Sequence, residues 1–136
     1  MSGAVKIIRA LLVASSSITA LVSTRVYPGE LPQETPMPAL GISHISTVEK
    51  TTIDASAAWK LVQTRIEVTA LAKTYLEVET LIPLIKTACN YQHGTLSGYV
   101  VVSIQREIEG PDMRDSDLTV FSRTIDFLVT WQEPNP

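Results

Sequence analysis

Residues 60–89 read KLVQTRIEVTALAKTYLEVETLIPLIKTAC, and within them the hydrophobic period changes once. Up to Ala72 the period is two: Val62, Ile66, Val68, Ala70 and Ala72 fall on one side, and Gln63, Arg65, Glu67 and Thr69 on the other. That alternation predicts a strand with one buried face, about twelve residues long against the usual five or six, long enough to extend beyond its own sheet. From Thr74 the period becomes helical. Val78, Leu81, Ile82, Ile85 and Cys89 form one stripe, and Thr74 with Glu77 three residues on has the spacing of a capping box. Pro83 lies inside this helix, where it removes the bond to the carbonyl of Glu79 at a cost of about 3 kcal/mol, so a kink or break is expected there.

Toward the C-terminus, Gly94 closes the helical segment and two strands follow. Tyr99 to Ile108 carries Val100, Val102 and Ile104 inward, and Leu118 to Trp131 carries Phe121, Ile125, Phe127, Val129 and Trp131 inward. An acidic hairpin loop, 107–117, joins them. Toward the N-terminus, a strand runs from Ala39, with Leu40, Ile42, His44 and Val48 alternating with Gly41, Ser43 and Thr47. It leads into an exposed hairpin tip at 47–57. Before it lies a Pro-rich segment, 28–38, which Pro32, Pro36 and Pro38 keep extended, and RVYPG at 25–29 reads as a short extended piece closed by a turn.

The chain opens with two helices. Ser2 caps the first, whose Ala4, Ile8, Leu11 and Leu12 share a face, and the serines at 15–17 interrupt it and cap a second turn carrying Ile18, Leu21 and Val22. The order α-α-β-β-α-β-β predicts an α+β fold: a small antiparallel sheet of about four or five strands with helices packed on one face. At 136 residues the whole chain, 1–136, is expected to be one domain.

Composition narrows the function classes. Apolar residues make up 45% and charged residues 18%, which is the balance of a chain with a core and not of a disordered one. The net charge of −3 argues against a protein that grips nucleic acid by neutralising phosphates. The charge is unevenly placed: up to Gly29 there are three bases, Lys6, Arg9 and Arg25, and no acid, whereas 107–117 holds five acids against Arg114 alone, a local net of −4. Lys6 and Arg9 ahead of ALLVASSSITA resemble a weak secretory leader, but the apolar run Ala10 to Ala14 is short, and a helix that needs covering is the better reading. No stretch approaches the roughly 18 apolar residues of a membrane span.

No catalytic constellation stands out. Cys89 and His93 are four apart, a spacing open to a thiolate and imidazole pair, but Cys89 falls on the buried helical stripe and neither has an orienting partner. A single cysteine excludes an intramolecular disulfide and a cysteine-built zinc site. His44, beside Leu40 and Ile42, reads as a packed or hydrogen-bonded histidine. The 107–117 acids suit a calcium ion by type, yet they lack the EF-hand order and contain Pro111, so a solvated loop is the expectation. There is no dinucleotide or Walker glycine pattern, no nucleophile elbow and no His-Glu-x-x-His.

Several segments in a fixed order resemble a known family: IRALLVASSSITALV, then TRVYPGELPQ with PALGIS, then KLVQTRIEVTALAKTY, then EVETLIPLIKTA, and last FSRTIDFLVTWQE. Together they are similar to the tail-completion or tail-terminator proteins of long-tailed bacteriophages. The most specific piece is RVYPG with LPQ after it, at Arg25 to Gln33. The resemblance covers nearly the whole chain and implies a virion protein of the tail with no enzymatic activity and no cofactor. It further implies a ring, often of six copies, at the head-proximal end of the tail tube, touching the tube protein and a neck or head-closure protein, with DNA passing the lumen unbound and no membrane partner.

A closed ring needs two different complementary surfaces on each subunit. The candidates are Arg25 and Tyr27 in the RVYPG piece, Glu49, Lys50 and Asp54 in the hairpin tip, and Asp112, Arg114, Asp115 and Asp117 in the acidic loop. Three other readings stay open at this point: a different neck component, a small ligand-binding α+β protein, and an enzyme built on Cys89 and His93.

Overall fold

Ser2 and Ser15 each accept a backbone N–H, from Val5 and Ile18, and so open α1 (Gly3–Ala14) and α2 (Ser16–Val22). The protein is described by a computed structural model at residues 2–32, 34–50, 59–115 and 119–134. The two helices meet at 88°, and among the described residues no single helix is long and apolar enough to cross a membrane. Ala4, Val5, Ile7, Ile8 and Leu12 of α1 are buried, while Leu11 lies at the margin of the core. The apolar run at the start of the chain is therefore a core stripe.

The remaining elements are β1 (Val26–Pro28), β2 (Ala39–Glu49), β3 (Trp59–Ala72), α3 (Tyr75–Cys89), β4 (Gly94–Leu96), β5 (Tyr99–Glu109), β6 (Met113–Asp115) and β7 (Val120–Pro134). They make an α+β fold, and the long elements keep the expected order. The sheet is larger than four or five strands. It runs β1-β2-β3-β7-β5-β4, with β6 also paired to β7, and every pair is antiparallel except β1 with β2. The extra strands, β1, β4 and β6, are three residues each, too short for a period of two to register.

The long central strand is fourteen residues and is paired with β7 from Trp59↔Pro134 to Ala72↔Phe121. The helices cover one face of this pair. Val62, Ile66, Val68, Ala70 and Ala72 of β3 and Ile125, Phe127, Val129 and Trp131 of β7 are buried with Ile8, Leu12, Leu81, Ile82 and Ile85. At about 1.5–3 kcal/mol for each large apolar side chain, this burial holds the layers together.

Three expectations are corrected. First, of the kink or break expected at Pro83, the break does not occur: α3 runs on across Pro83, which faces solvent at its ninth position. The stripe Val78, Leu81, Ile82, Ile85 and Cys89 is fully or almost fully buried, and its burial outweighs the one lost hydrogen bond. Thr74 caps the helix by accepting the Glu77 N–H at 3.2 Å, and its own hydroxyl donates to the Glu77 carboxylate at 3.1 Å. Second, Val100 and Val102 are exposed, and the inward residues of β5 are Val101 and Ile104, because a bulge between Val101 and Ser103 resets the alternation. Third, the segment read as an acidic loop is mostly strand: β5 continues to Glu109 and β6 spans Met113–Asp115.

Of the two readings of His44, packed or hydrogen-bonded, the second holds: the ring is exposed, and its Nε2 lies 2.8 Å from Thr47 Oγ1. A bulge between His44 and Ser46 turns the strand, and from His44 to Lys50 every residue is exposed. The tip expected at 47–57 is described only up to Lys50; its centre lies outside the described residues.

Candidate functional site

The residues singled out by sequence gather at the two opposite edges of the sheet. Arg25 and Tyr27 stand at or beside β1, and Glu49 and Lys50 stand at the end of β2, along one edge. Asp112, Arg114 and Asp115 lie on or beside β6, at the other. Asp54 and Asp117 lie outside the described residues.

At the first edge β1 stops at Pro28, where the Gly29 N–H donates to the Ile42 carbonyl at 2.8 Å. Beyond that bond β2 has no strand on the side away from β3 among the described residues. The Leu40 N–H donates to the Arg25 carbonyl, which sets Leu40 and Ile42 toward β1, and the Lys50 N–H donates to the Leu61 carbonyl, which sets Lys50 toward β3. With the bulge counted, the antiparallel alternation turns the backbone N–H and C=O of His44, Thr47 and Glu49 outward. Arg25 braces this edge from behind: its Nε donates to the Pro38 carbonyl at 2.9 Å and its Nη2 to the Leu21 carbonyl at 3.2 Å.

A polar chain runs inward from the same edge. Trp131 Nε1 donates to Thr64 Oγ1 at 3.0 Å, Thr64 Oγ1 lies 3.1 Å from Thr47 Oγ1, and Thr47 Oγ1 lies 2.8 Å from His44 Nε2. An indole N–H only donates, so the Thr64 hydroxyl is its acceptor, and its second lone pair and its own proton are left for the contact with Thr47. Thr64, 1% exposed, is the buried polar residue at the root of this chain. Further out, Lys60 pairs with Glu49 at 2.6 Å, and that carboxylate holds the Lys60 ammonium above its ordinary value.

The second edge is capped. The Tyr91 N–H donates to the Ile104 carbonyl at 2.9 Å, and the Asn90 Oδ1 accepts the Arg106 N–H at 3.2 Å. Past Arg106 the acids gather around Arg123 of β7. Its Nε donates to Asp112 at 2.6 Å, its Nη1 to Glu109 at 3.3 Å, and its Nη2 to Glu79 and, at 3.3 Å, to the Tyr75 hydroxyl. Lys86 pairs with Glu109 from α3. The Arg123 side chain is 12% exposed, and its hydrogen bonds hold both Glu79 and Asp112 below their usual carboxylate range. Two acids of the 107–117 segment, Glu109 and Asp112, thus face a guanidinium, and among the described residues no cluster of three possible metal ligands forms. Arg114 is stacked over the Phe121 ring at 5.3 Å.

Cys89 is fully buried, and that burial pushes its thiol up to about 12; His93 is exposed. The pair offers no accessible nucleophile.

The reading of the sequence missed Arg123, Thr64, Glu79 and Lys86. A signal existed for the first two. Arg123 continues the register of Phe121, Ile125 and Phe127, and Thr64 that of Val62 and Ile66, so each is a polar side chain on an apolar face that must find partners there. The identity of those partners depends on strand pairing.

Over residues 6–131 the chain matches a protein family described as Tail completion protein gp17. No curated protein matches it. Among solved structures it is similar to a chain from the virion of a native gene transfer agent particle, with a TM-score of 0.68, 18% identity, and coverage of 97% of this chain and 100% of that one. At that identity the likeness speaks for the fold. The family match spans nearly the whole chain, from α1 to Trp131, and the chain accordingly belongs to the tail completion protein family, the structural proteins of the bacteriophage virion tail.

Proposed function

We propose that this protein closes the tail: copies of it form a ring at the head-proximal end of the tail tube, stop tube polymerisation and present a surface to the neck of the capsid. The observation that carries this reading is the family match over 6–131 on a fold whose two sheet edges differ chemically. One edge is an open ladder braced by Arg25. The other is capped and acidic. Two unlike edges suit a heterologous contact, and a heterologous contact that closes makes a ring.

Six copies of 14.9 kDa would give a ring of about 89 kDa. DNA would pass through its lumen without specific binding, in keeping with the net charge of −3. The role is structural and calls for no catalysis.

Deleting the gene tests it. Loss of a terminator leaves filled heads beside free tails of irregular length, restored by the purified protein. Leaking heads beside tails of normal length would assign the protein to head closure instead.

A further inference from the structure

We propose that the open edge of β2 is a strand-docking slot, and that its occupant is the acidic arm past the cap at Arg106, residues 107–115, of a second copy of this chain. The inference rests on the ring reading above and names the contact that builds the ring.

The slot has a ladder and a floor. The outward N–H and C=O groups of His44, Thr47 and Glu49 offer pairing to an extended segment, in the lane that β1 vacates after Pro28. Beneath that lane a hollow of about 490 Å³ opens between the start of α1 and β2, walled by Val5, Pro28 and Ile42. A second of about 380 Å³, sharing Ser2 and His44 with the first, continues past Thr47 to Tyr99 and Trp131. A segment paired to β2 would send alternate side chains into these hollows.

The arm has the matching chemistry. Ile108 is 53% exposed and Met113 60% exposed, two apolar side chains set among Glu107, Glu109, Asp112 and Asp115. The first hollow lies at the N-terminal, positive end of α1, whose first turn holds no acid and whose Lys6 is exposed, and no acid lines it, whereas Glu133 lines the second. The arm is also held ready: Arg123 fixes Glu109 and Asp112 to the body, so docking costs little ordering. It cannot serve its own slot, because β3 and β7 lie between β2 and β5, a separation of about 14 Å at three strand spacings. The occupant is therefore another copy.

The test uses two single variants. Thr47→Pro removes an outward N–H while leaving the bonds to β3 in place, Thr47→Ala is its control, and Ile108→Asp spoils the arm. Association is followed by sedimentation of the purified protein, alone and on tail tubes that lack it. Wild type and Thr47→Ala should associate, each of the other two should associate about a hundredfold more weakly, and an equimolar mixture of those two should form a heterodimer, since one keeps its arm and the other its slot. A folded Thr47→Pro that assembles like wild type, or a mixture that gives no heterodimer, overturns the proposal and leaves the ring reading standing. If wild type associates neither with itself nor with tubes, the ring reading fails and takes this one with it. Should Thr47→Pro not fold, amide exchange in wild type decides: protection of Thr47 and Glu49 on assembly supports docking, and unchanged exchange overturns it.

Discussion

Replacing Thr64 by valine tests the polar root of the β2 edge. The change keeps the shape of the side chain and raises its preference for a strand, so a reading based on burial alone expects a gain. The hydrogen bonds predict a loss. Trp131 is 3% exposed and its indole N–H has the Thr64 hydroxyl as acceptor at 3.0 Å. Leaving a buried donor unpaired costs about 1–3 kcal/mol, and the added methyl, worth about 0.8 kcal/mol, offsets part of it. The net is a loss of about 0.2–2 kcal/mol, or up to about 6 °C in Tm for a chain of this length. Urea unfolding followed by circular dichroism measures it, and an unchanged m-value confirms that the native state alone was altered. A double-mutant cycle with Trp131→Phe isolates the bond, with an expected coupling of about 1 kcal/mol. A Thr64→Val protein as stable as wild type, or a coupling near zero, refutes the argument.

Gly3→Ala should destabilise despite the better helix propensity of alanine, because the added Cβ would sit 2.4 Å from Trp131 Cη2 and 3.1 Å from Tyr99 Cζ. Overpacking of about 1–3 kcal/mol exceeds a propensity gain of at most about 1 kcal/mol, and a thermal melt above wild type would contradict it. Glu79 and Asp112 have folded values below their ordinary 4.5 and 3.8, chiefly through the Arg123 hydrogen bonds. Their contribution is thus present above those values and lost as pH falls through the lower, folded ones, so Arg123→Met should weaken the protein at pH 7 and flatten the acid limb of its stability profile. Glu67 runs the other way: burial first, then the Asp126 charge, raise it, partly offset by Arg65. A raised carboxylate penalises the folded state as pH rises through its ordinary value, so Glu67→Gln should gain stability at pH 7 relative to pH 4, and an equal effect at both would count against it. The Cys89 thiol, buried and pushed up to about 12, should react with a thiol reagent at pH 8 only as fast as the protein opens, and rapid native labelling would reverse that view.

Much of the fold was legible in the residues because it is written in local periods. The switch at Thr74 from alternation to a helical stripe placed β3 and α3, the serines at 2 and 15 placed the first two helices, and Phe121 to Trp131 gave β7 its inward face. The candidate edges were legible only in part. Charge asymmetry along the chain drew attention to Arg25 and to Asp112, yet not to what each does: Arg25 spends its guanidinium on two carbonyls of its own chain, and Asp112 holds Arg123.

The division has a physical cause. Helix and strand propensity, caps and the side of an element that is apolar are decided within a few residues, and for this protein they were enough to determine the class, the order of the long elements and most of the core. Bulges, edges and ion clusters are decided by partners far along the chain. The bulge at Val102 reverses Val100 and Val102 because β5 must keep step with β7, and β2 is left without an outer neighbour past Ile42 because β1 ends at Pro28. Arg123 finds Glu79 44 residues away, and Trp131 finds Thr64 67 residues away. Only the tertiary structure brings such groups together, since pairing of β3 with β7 fixes the register at which they meet.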